Sequence, residues 1–405
     1  MGNKTKPFYN TTIPDEWEIK TLNKFGDFSK GKGILKAELI SEGIPCIRYG
    51  EIYTTHSYVI NEFCSFINEE VAKESKEIKK GDILFAGSGE TIEEIGKSVA
   101  FIGSEKAYVG GDIIILSTDK NVSAECLSYA LETDSARKQK RRLGQGNSVV
   151  HIYSKDLLKL RIPLPPLPEQ KAIAHALALM DKAINANIQL ISQKELRKKW
   201  LMQNLLTGKK RLNGFSGVWK EVHLSDMFSE RNERNNNGLA LLSIGQNGVY
   251  PQENSIKKDT SNSDKSKYKK ICVGDIGYNT MRMWQGRSAL SSLEGIVSPA
   301  YTIVTPKENA DSLFFAYLFK TPKLINLFWR NSQGLVNDTL NCKFKDFSIV
   351  KVFLPPKEGQ TAIAQVLQSA DKELALLKAK TDKLKEQKKG MMQVLLTGKK
   401  RLKIV

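Results

Sequence analysis

Two stretches of the chain carry apolar residues at spacings that alternate between four and three. The first series runs Ile173, Leu177, Met180, Ile184, Asn187, Ile191, Lys194, Lys198, Leu201, Leu205. The second runs Ile363, Leu367, Ala370, Leu374, Leu377, Thr381, Leu384, Lys388, Met391, Leu395. Seven of ten positions are apolar in the first and eight of ten in the second, which predicts the seam of a coiled coil in each. The plainer alternative is an amphipathic helix packed on a globule, but that gives no reason for one register to be kept twice. Asn187, Lys194 and Lys198 weaken the seam locally; they set its register, or mark where the helices splay or meet another protein. A proline pair precedes each stretch (Pro165-Pro166, Pro355-Pro356), and Gly208 or Gly398 closes it. Some 38 residues at ~1.5 Å each make a rod of about 57 Å.

The two stretches are copies. Residues 162–212 and 352–402 align without a gap at an offset of 190, with 22 identities in 51 positions. Gln170-Lys171-Ala172-Ile173-Ala174 returns as Gln360-Thr361-Ala362-Ile363-Ala364, Asp181 as Asp371, and the eight residues from Leu205 return unchanged from Leu395. A fainter echo opens each half, Trp17 to Leu22 against Trp219 to Leu224, and Gly81-Asp82-Ile83 matches Gly274-Asp275-Ile276. Little else matches between the intervening globules. The predicted order is a head over 1–164, a helical spacer over 165–212, a second head over 213–353 and a second spacer over 354–405. Antiparallel pairing of the helices is favoured, because parallel pairing would force the second head's chain to travel the length of the rod. The expected result is a pseudo-twofold arrangement whose two divergent heads face one substrate.

The 405-residue chain has ordinary hydrophobic (40%) and charged (26%) content but a net charge of +18. No apolar run approaches a membrane span, and the opening residues MGNKTKPFYN hold no secretory signal. Five scattered cysteines without a CxxC, and four histidines, support neither disulfides nor a zinc cluster. A reduced, cytoplasmic protein is expected. The charge is uneven: residues 1–164 are neutral, 165–212 carry +6, 213–354 carry +5 and 355–405 carry +7. Residues 137–161 still hold Arg137, Lys138, Lys140, Arg141, Arg142, Lys155, Lys159 and Arg161 against Asp156 alone. In the second head Lys257, Lys258, Lys265, Lys267, Lys269, Lys270, Arg282 and Arg287 face only Asp259, Asp264 and Asp275. Such clusters suit phosphate contacts, with a solvated charged face as the plain alternative. Candidates to read bases or hold phosphates are Arg48, Tyr49, Lys138, Arg141, Arg142, Gln145 and Asn147 in the first head. In the second they are Gln246, Asn247, Arg282, Gln285, Arg287 and Gln333, because Arg pairs bidentately with guanine and Asn or Gln with adenine. Trp284 serves equally as a packed residue or a base-stacking one.

Catalytic signatures are missing. Gly89 to Ser98 has P-loop letters but six residues between its glycines rather than four. Pro14-Asp15 with Glu18-Ile19-Lys20 imitates a nuclease metal site, yet its carboxylates are too close in sequence to converge on one metal from successive strands. The proline pairs lack the neighbours an adenine methylase uses to hold a flipped base. No catalytic residue, metal or cofactor is expected on this chain.

The segment Leu164-Pro165-Pro166-Leu167-Pro168-Glu169-Gln170-Lys171-Ala172-Ile173-Ala174, its copy from Leu354, and the two LLTGKKRL endings resemble the specificity subunits of type I restriction–modification systems. Ile13-Pro14 with Trp17, and Gly43-Ile44-Pro45 with Ile47-Arg48, are similar too, so the resemblance spans nearly the whole chain. The second copy departs at Lys357-Glu358-Gly359, which bears on the local helix entry. The resemblance implies two α/β target-recognition domains held apart by two long antiparallel helices, each domain reading half of a split, asymmetric site in double-stranded DNA. It implies recruitment of two methyltransferase subunits and of restriction (translocase) subunits, which carry the chemistry. A different class of reading is a coiled-coil adaptor whose heads bind proteins; a stand-alone nuclease is a third.

Overall fold

The computed structural model describes residues 4–9, 11–146, 149–236, 238–245, 248–254, 262–336 and 339–402. The candidates Asn147, Gln246 and Asn247, with Lys257, Lys258 and Asp259, lie outside the described residues. The chain forms two compact units, residues 1–187 with 380–405, and residues 188–379. Each contains one head, the start of one long helix and the end of the other.

In the first unit, short apolar runs with no polar alternation predict strands covered on both faces. Ile113–Thr118, Asp82–Ala86 and Ser98–Phe101 are such runs, and they are the central strands of a five-stranded sheet. Gly26–Lys30 and Val59–Ile60 are its edges, and only the last pairing is parallel. Successive side chains point to opposite faces, and the packing follows. Leu84, Ile113 and Ile115 meet Ile47, Ile78 and Val109 of a four-stranded sheet. Ile83, Phe85, Ile114 and Leu116 share a core with the helix Ala124–Ala130, the start of the first long helix (Ile173, Leu177) and the end of the second (Met392, Leu395). The second unit is built on four antiparallel strands in the order Phe228–Arg231, Tyr301–Pro306, Ile276–Asn279, Ser288–Leu290. Its core is aromatic, with ring centroids 4.8 Å apart for Phe228 and Phe315 and 5.5 Å apart for Phe319 and Phe347. Leu205, Leu206, Ile363 and Leu367 complete that core.

Each head is closed by a strand near its start and its last strand, which pair antiparallel: Glu18–Thr21 with Arg161–Leu164, and Lys220–His223 with Lys351–Leu354. The proline pair follows and delivers the chain into a 39-residue helix, Leu167–Leu205 or Lys357–Leu395. The departure at Lys357-Glu358-Gly359 leaves helix entry intact. Both helices stop where Gly208 (φ 70°) and Gly398 (φ 68°) turn left-handed. A Cβ on Gly208 would meet the Trp219 ring at 3.4 Å, and one on Gly398 would press on Pro14 and Trp17. Trp17 and Trp219 are thus buried lids on the helix ends.

In both units the start of one long helix packs with the end of the other, so the pairing is antiparallel. Every one of the seam positions predicted from the spacing is buried or half-buried. Among them Ile173, Leu177, Ile184, Ile363, Leu367 and Leu374 are buried, and Met180, Ile191, Leu377 and Leu384 are half-buried. The lysines expected to weaken the seam instead cross it. Lys198 pairs with Asp371 and Lys194 with Glu373, while Asn187 turns back to the Ala183 carbonyl of its own helix. Lys388 pairs with Asp181 at 2.5 Å. The same node therefore occurs twice: Tyr129 Oη donates to Asp181 at 2.7 Å and Tyr317 Oη to Asp371 at 2.6 Å. Gln170 and Gln360 act alike as well, each accepting from a head amide (Ser123, Asp311) and donating to the carbonyl of Pro165 or Pro355. These ties explain why Gln and Asp return in the repeat.

Among the described residues no helix is long and apolar enough to cross a membrane, and no cluster of three His, Cys, Asp or Glu is placed to hold a metal.

Candidate nucleic-acid interface

The helix Asp134–Leu143 carries the basic cluster of the first head. It buries Ala136, Gln139 and Lys140, and it turns Arg137, Lys138, Arg141 and Arg142 outward. The cluster is less one-sided than its sequence. Glu132, which precedes the helix, takes Lys140 at 2.8 Å and Arg137 at 3.1 Å, and Lys140 also donates to the Gly96 carbonyl at 2.9 Å. Burial pushes the Glu132 carboxyl up, but Lys140 and Arg137 outweigh it and hold the group below its ordinary value. Lys159 leans on Asp156 at 3.3 Å. Lys138, Arg141 and Arg142 stay exposed with no ion pair to a described residue, and these are the cations available to phosphates.

The helix ends at Gly144 and opens a loop. Gln145 is exposed, and its main chain forms a two-bond bridge with His151, 2.9 and 2.7 Å. A chain of contacts links this loop to the other candidates. His151 lies on the strand Val150–His151, which pairs with Ser88–Gly89, and Ser88 Oγ meets His151 Nδ1 at 2.7 Å. Tyr53 Oη donates to the Ser88 carbonyl at 2.9 Å and belongs to the helix Tyr49–Thr54. Arg48 caps the start of that helix half-buried, paired with Glu51 at 3.3 Å, so it is less available than Tyr49 beside it, which is exposed. Arg48, Tyr49 and Gln145 thus belong to one connected end of the head.

The second head repeats this plan from a different sequence. Its helix Pro322–Asn331 leads to Gln333, whose main chain bridges Asn341 with bonds of 2.9 and 2.7 Å. Gly146 (φ 116°) and Gly334 (φ 144°) follow the two glutamines with backbone that favours glycine. Cys342 N donates to the Thr280 carbonyl at 2.8 Å. That bond fastens the Gln333 loop to residues 279–287, where Gln285 and Arg287 are exposed and Arg282 is half-buried. Gly286 (φ 72°) turns this loop, and Ile325 of the helix packs against it. Trp284 donates its indole N–H to the Met281 carbonyl at 3.0 Å, which makes it a brace of the loop. Arg282, Gln285, Arg287 and Gln333 are therefore brought together. The lysine cluster is partly neutralised, since Lys269 meets Glu230 at 3.5 Å and Lys270 meets Glu294 at 2.8 Å.

Sequence reasoning missed two things here: the role of Glu132, and the equivalence of the two glutamine loops. A Gln-Gly pair stands some twenty residues before each proline pair and was the available signal.

Residues 14–194 and 217–386 each match the family described as the type I restriction modification DNA specificity domain. The chain is 24% identical to the type I restriction enzyme MjaVIII specificity subunit of Methanocaldococcus jannaschii, with 98% of this chain and 96% of that protein covered. It is 27% identical to the putative type I restriction enzyme MjaX specificity subunit of the same organism, with 96% and 95% covered. In fold it is similar to the type I restriction-modification S subunit from M. genitalium, with a TM-score of 0.59, 16% identity, and 98% and 99% of the two chains covered.

Proposed function

The chain belongs to the type I restriction–modification DNA specificity family, and from that membership we propose that its two heads each read one half of a split, asymmetric site in double-stranded DNA. Its activity is sequence recognition; the chemistry lies on other subunits of the complex. The residues proposed to meet DNA are Tyr49, Lys138, Arg141, Arg142 and Gln145 in the first head, and Arg282, Gln285, Arg287 and Gln333 in the second. Arg48 supports the first group. The carrying observation is that two heads of different sequence end in the same arrangement of helix, Gln-Gly loop and bridge, and are fastened to repeated helix frames. Constant frames suit a constant partner, and divergent tips suit different half-sites.

We further propose that residues 1–164 and 213–353 are the target-recognition domains and 165–212 and 354–405 the spacers. The spacers recruit two methyltransferase subunits, and restriction subunits join that core, in the cytoplasm where the DNA lies. Exposed Arg141 and Arg142 beside an exposed glutamine favour a DNA ligand over an adaptor that binds only proteins. The test is a gel shift of the chain with its methyltransferase on random duplexes, followed by sequencing of the bound fraction. Enrichment of two short motifs at a fixed spacing is expected, and binding without sequence preference would refute the reading.

A further inference from the structure

The two helix ends are built alike except at one spot, and there a cavity opens. In the first unit Arg401 grips Glu169 with Nε and Nη2, the latter at 2.6 Å, while Nη1 donates to Glu16 at 2.5 Å. The Glu169 side chain is only 1% exposed. Such a buried carboxylate is held because a guanidinium fork matches both its oxygens. In the second unit the identical LLTGKKRL segment sets Arg211 at the matching position, with its guanidinium 6.0 Å from the centre of the Trp219 ring. The residues that match Glu169 and Glu16 are Gly359 and Val218, so both carboxylates are lost. Arg211 Nη1 donates instead to the carbonyls of Gly217, at 2.6 Å, and Ser216, at 3.4 Å. No carboxylate among the described residues pairs with it.

A cavity of about 170 Å³ lies there, walled by Arg211, Phe215, Trp219, Pro356, Gly359 and Ile363. One water needs roughly 15 Å³ of such space. The walls offer an apolar sleeve with one guanidinium, which is the complement of an aliphatic stem ending in a carboxylate. Glu358 also lines the cavity, and its charge works against an anionic guest. We infer that this cavity receives a carboxylate group from outside the chain, in the place that Glu169 fills in the first unit. The carboxylate comes either from a free short-chain acid or from an acidic side chain of a bound protein.

The full-length chain labelled with 5-fluorotryptophan decides between these sources and neither. The Trp219 fluorine signal, assigned by Trp219→Phe, should shift saturably with glutarate and not with neutral glutaramide. Gly359→Glu, which restores the first unit's own plug, should abolish the shift. Arg211→Gln should weaken binding at least tenfold, and Glu358→Gln should tighten it. In a second arm the same variants are titrated with the methyltransferase, an arm that rests on the assembly proposed above while the first does not. Glutarate binding with unchanged methyltransferase affinity assigns a free acid. A tenfold loss of methyltransferase affinity in both Gly359→Glu and Arg211→Gln, with or without glutarate binding, assigns a partner's side chain. Equal response to glutarate and glutaramide, with methyltransferase affinity unchanged in both variants, overturns the inference. Neither arm uses DNA, so its failure leaves the reading of DNA untouched.

Discussion

Truncating Lys388 to alanine should loosen the first unit far more than truncating its repeat mate Lys198 loosens the second. The Lys388 ammonium lies 3.6 Å from the centre of the Tyr58 ring and 5.0 Å from that of Tyr129, and its side chain is 7% exposed. A desolvated cation–π contact is worth roughly 2 kcal/mol. Breaking a buried ion pair costs roughly 3–5 kcal/mol, but the Asp181 side chain is 26% exposed and water recovers part of that. Removing Lys388 also relieves its desolvation, since burial lowers its pKa against the opposing pull of Asp181. The net expectation for Lys388→Ala is about 2–3 kcal/mol. Lys388→Met, which keeps the stem and drops the charge, should cost about 1 kcal/mol. Lys198 and Asp371 are 25% and 40% exposed, so Lys198→Ala should cost under about 1 kcal/mol. Hydrogen exchange read by mass spectrometry suits a protein of two units, because it reports each locally. Amides around Asp181 and Lys388 should exchange roughly 50-fold faster in Lys388→Ala, at 1.4 kcal/mol per tenfold. Those around Asp371 in Lys198→Ala should change only a few-fold. Equal effects in the two variants, or less than a threefold change for Lys388→Ala, would refute the reasoning.

Three further outcomes are expected. Arg141→Ala combined with Arg142→Ala should lower the salt dependence of DNA binding by roughly one unit per lost phosphate contact, with methyltransferase assembly intact; an unchanged slope returns these cations to the solvated face. The Glu132 carboxyl is held below its ordinary value of 4.5, so its contribution to stability is complete above that pH and is lost as pH falls through the folded value. Glu132→Gln should therefore flatten the acid limb of first-unit unfolding, followed by exchange over 134–143, and an unaltered limb would contradict this. Residues 1–212 contain Asp181, Lys198, Glu16, Glu169 and Arg211, so two copies can remake the seam and its ties as a homodimer. With the methyltransferase they should modify a palindrome of the first half-site, and methylation still at the full-length site would rule out the modular reading.

The frame was legible because helices advertise themselves locally. The four-three spacing, the proline pairs and Gly208 and Gly398 placed both long helices almost to the residue, and every seam position lies where the spacing put it. What stayed hidden joins residues that the repeat spacing does not connect. Lys194 and Lys198 read as flaws in a seam because their partners, Glu373 and Asp371, sit in the other copy. The cluster over 137–161 read as uncompensated because Glu132 lies just outside it and is turned in by the helix that follows. The heads were opaque for another reason. Their strands are short and the central ones are largely buried, so composition varies freely, and the core against the long helices is mostly aliphatic in one head and rich in Phe in the other. Apart from the Gln-Gly pairs themselves, it is backbone geometry, the left-handed glycines after Gln145 and Gln333 and the bridges beside them, that shows the two tips to be alike.

Mapping methylated adenines in cells that carry the chain with its methyltransferase is the most direct test of the account. The wild type should mark one site made of two short, different motifs at a fixed spacing. Gln333→Ala should relax the sequence of one motif only, leaving the other motif and the spacing as they were. A continuous site, or a change that spreads to both motifs, would contradict reading by two independent heads on one frame.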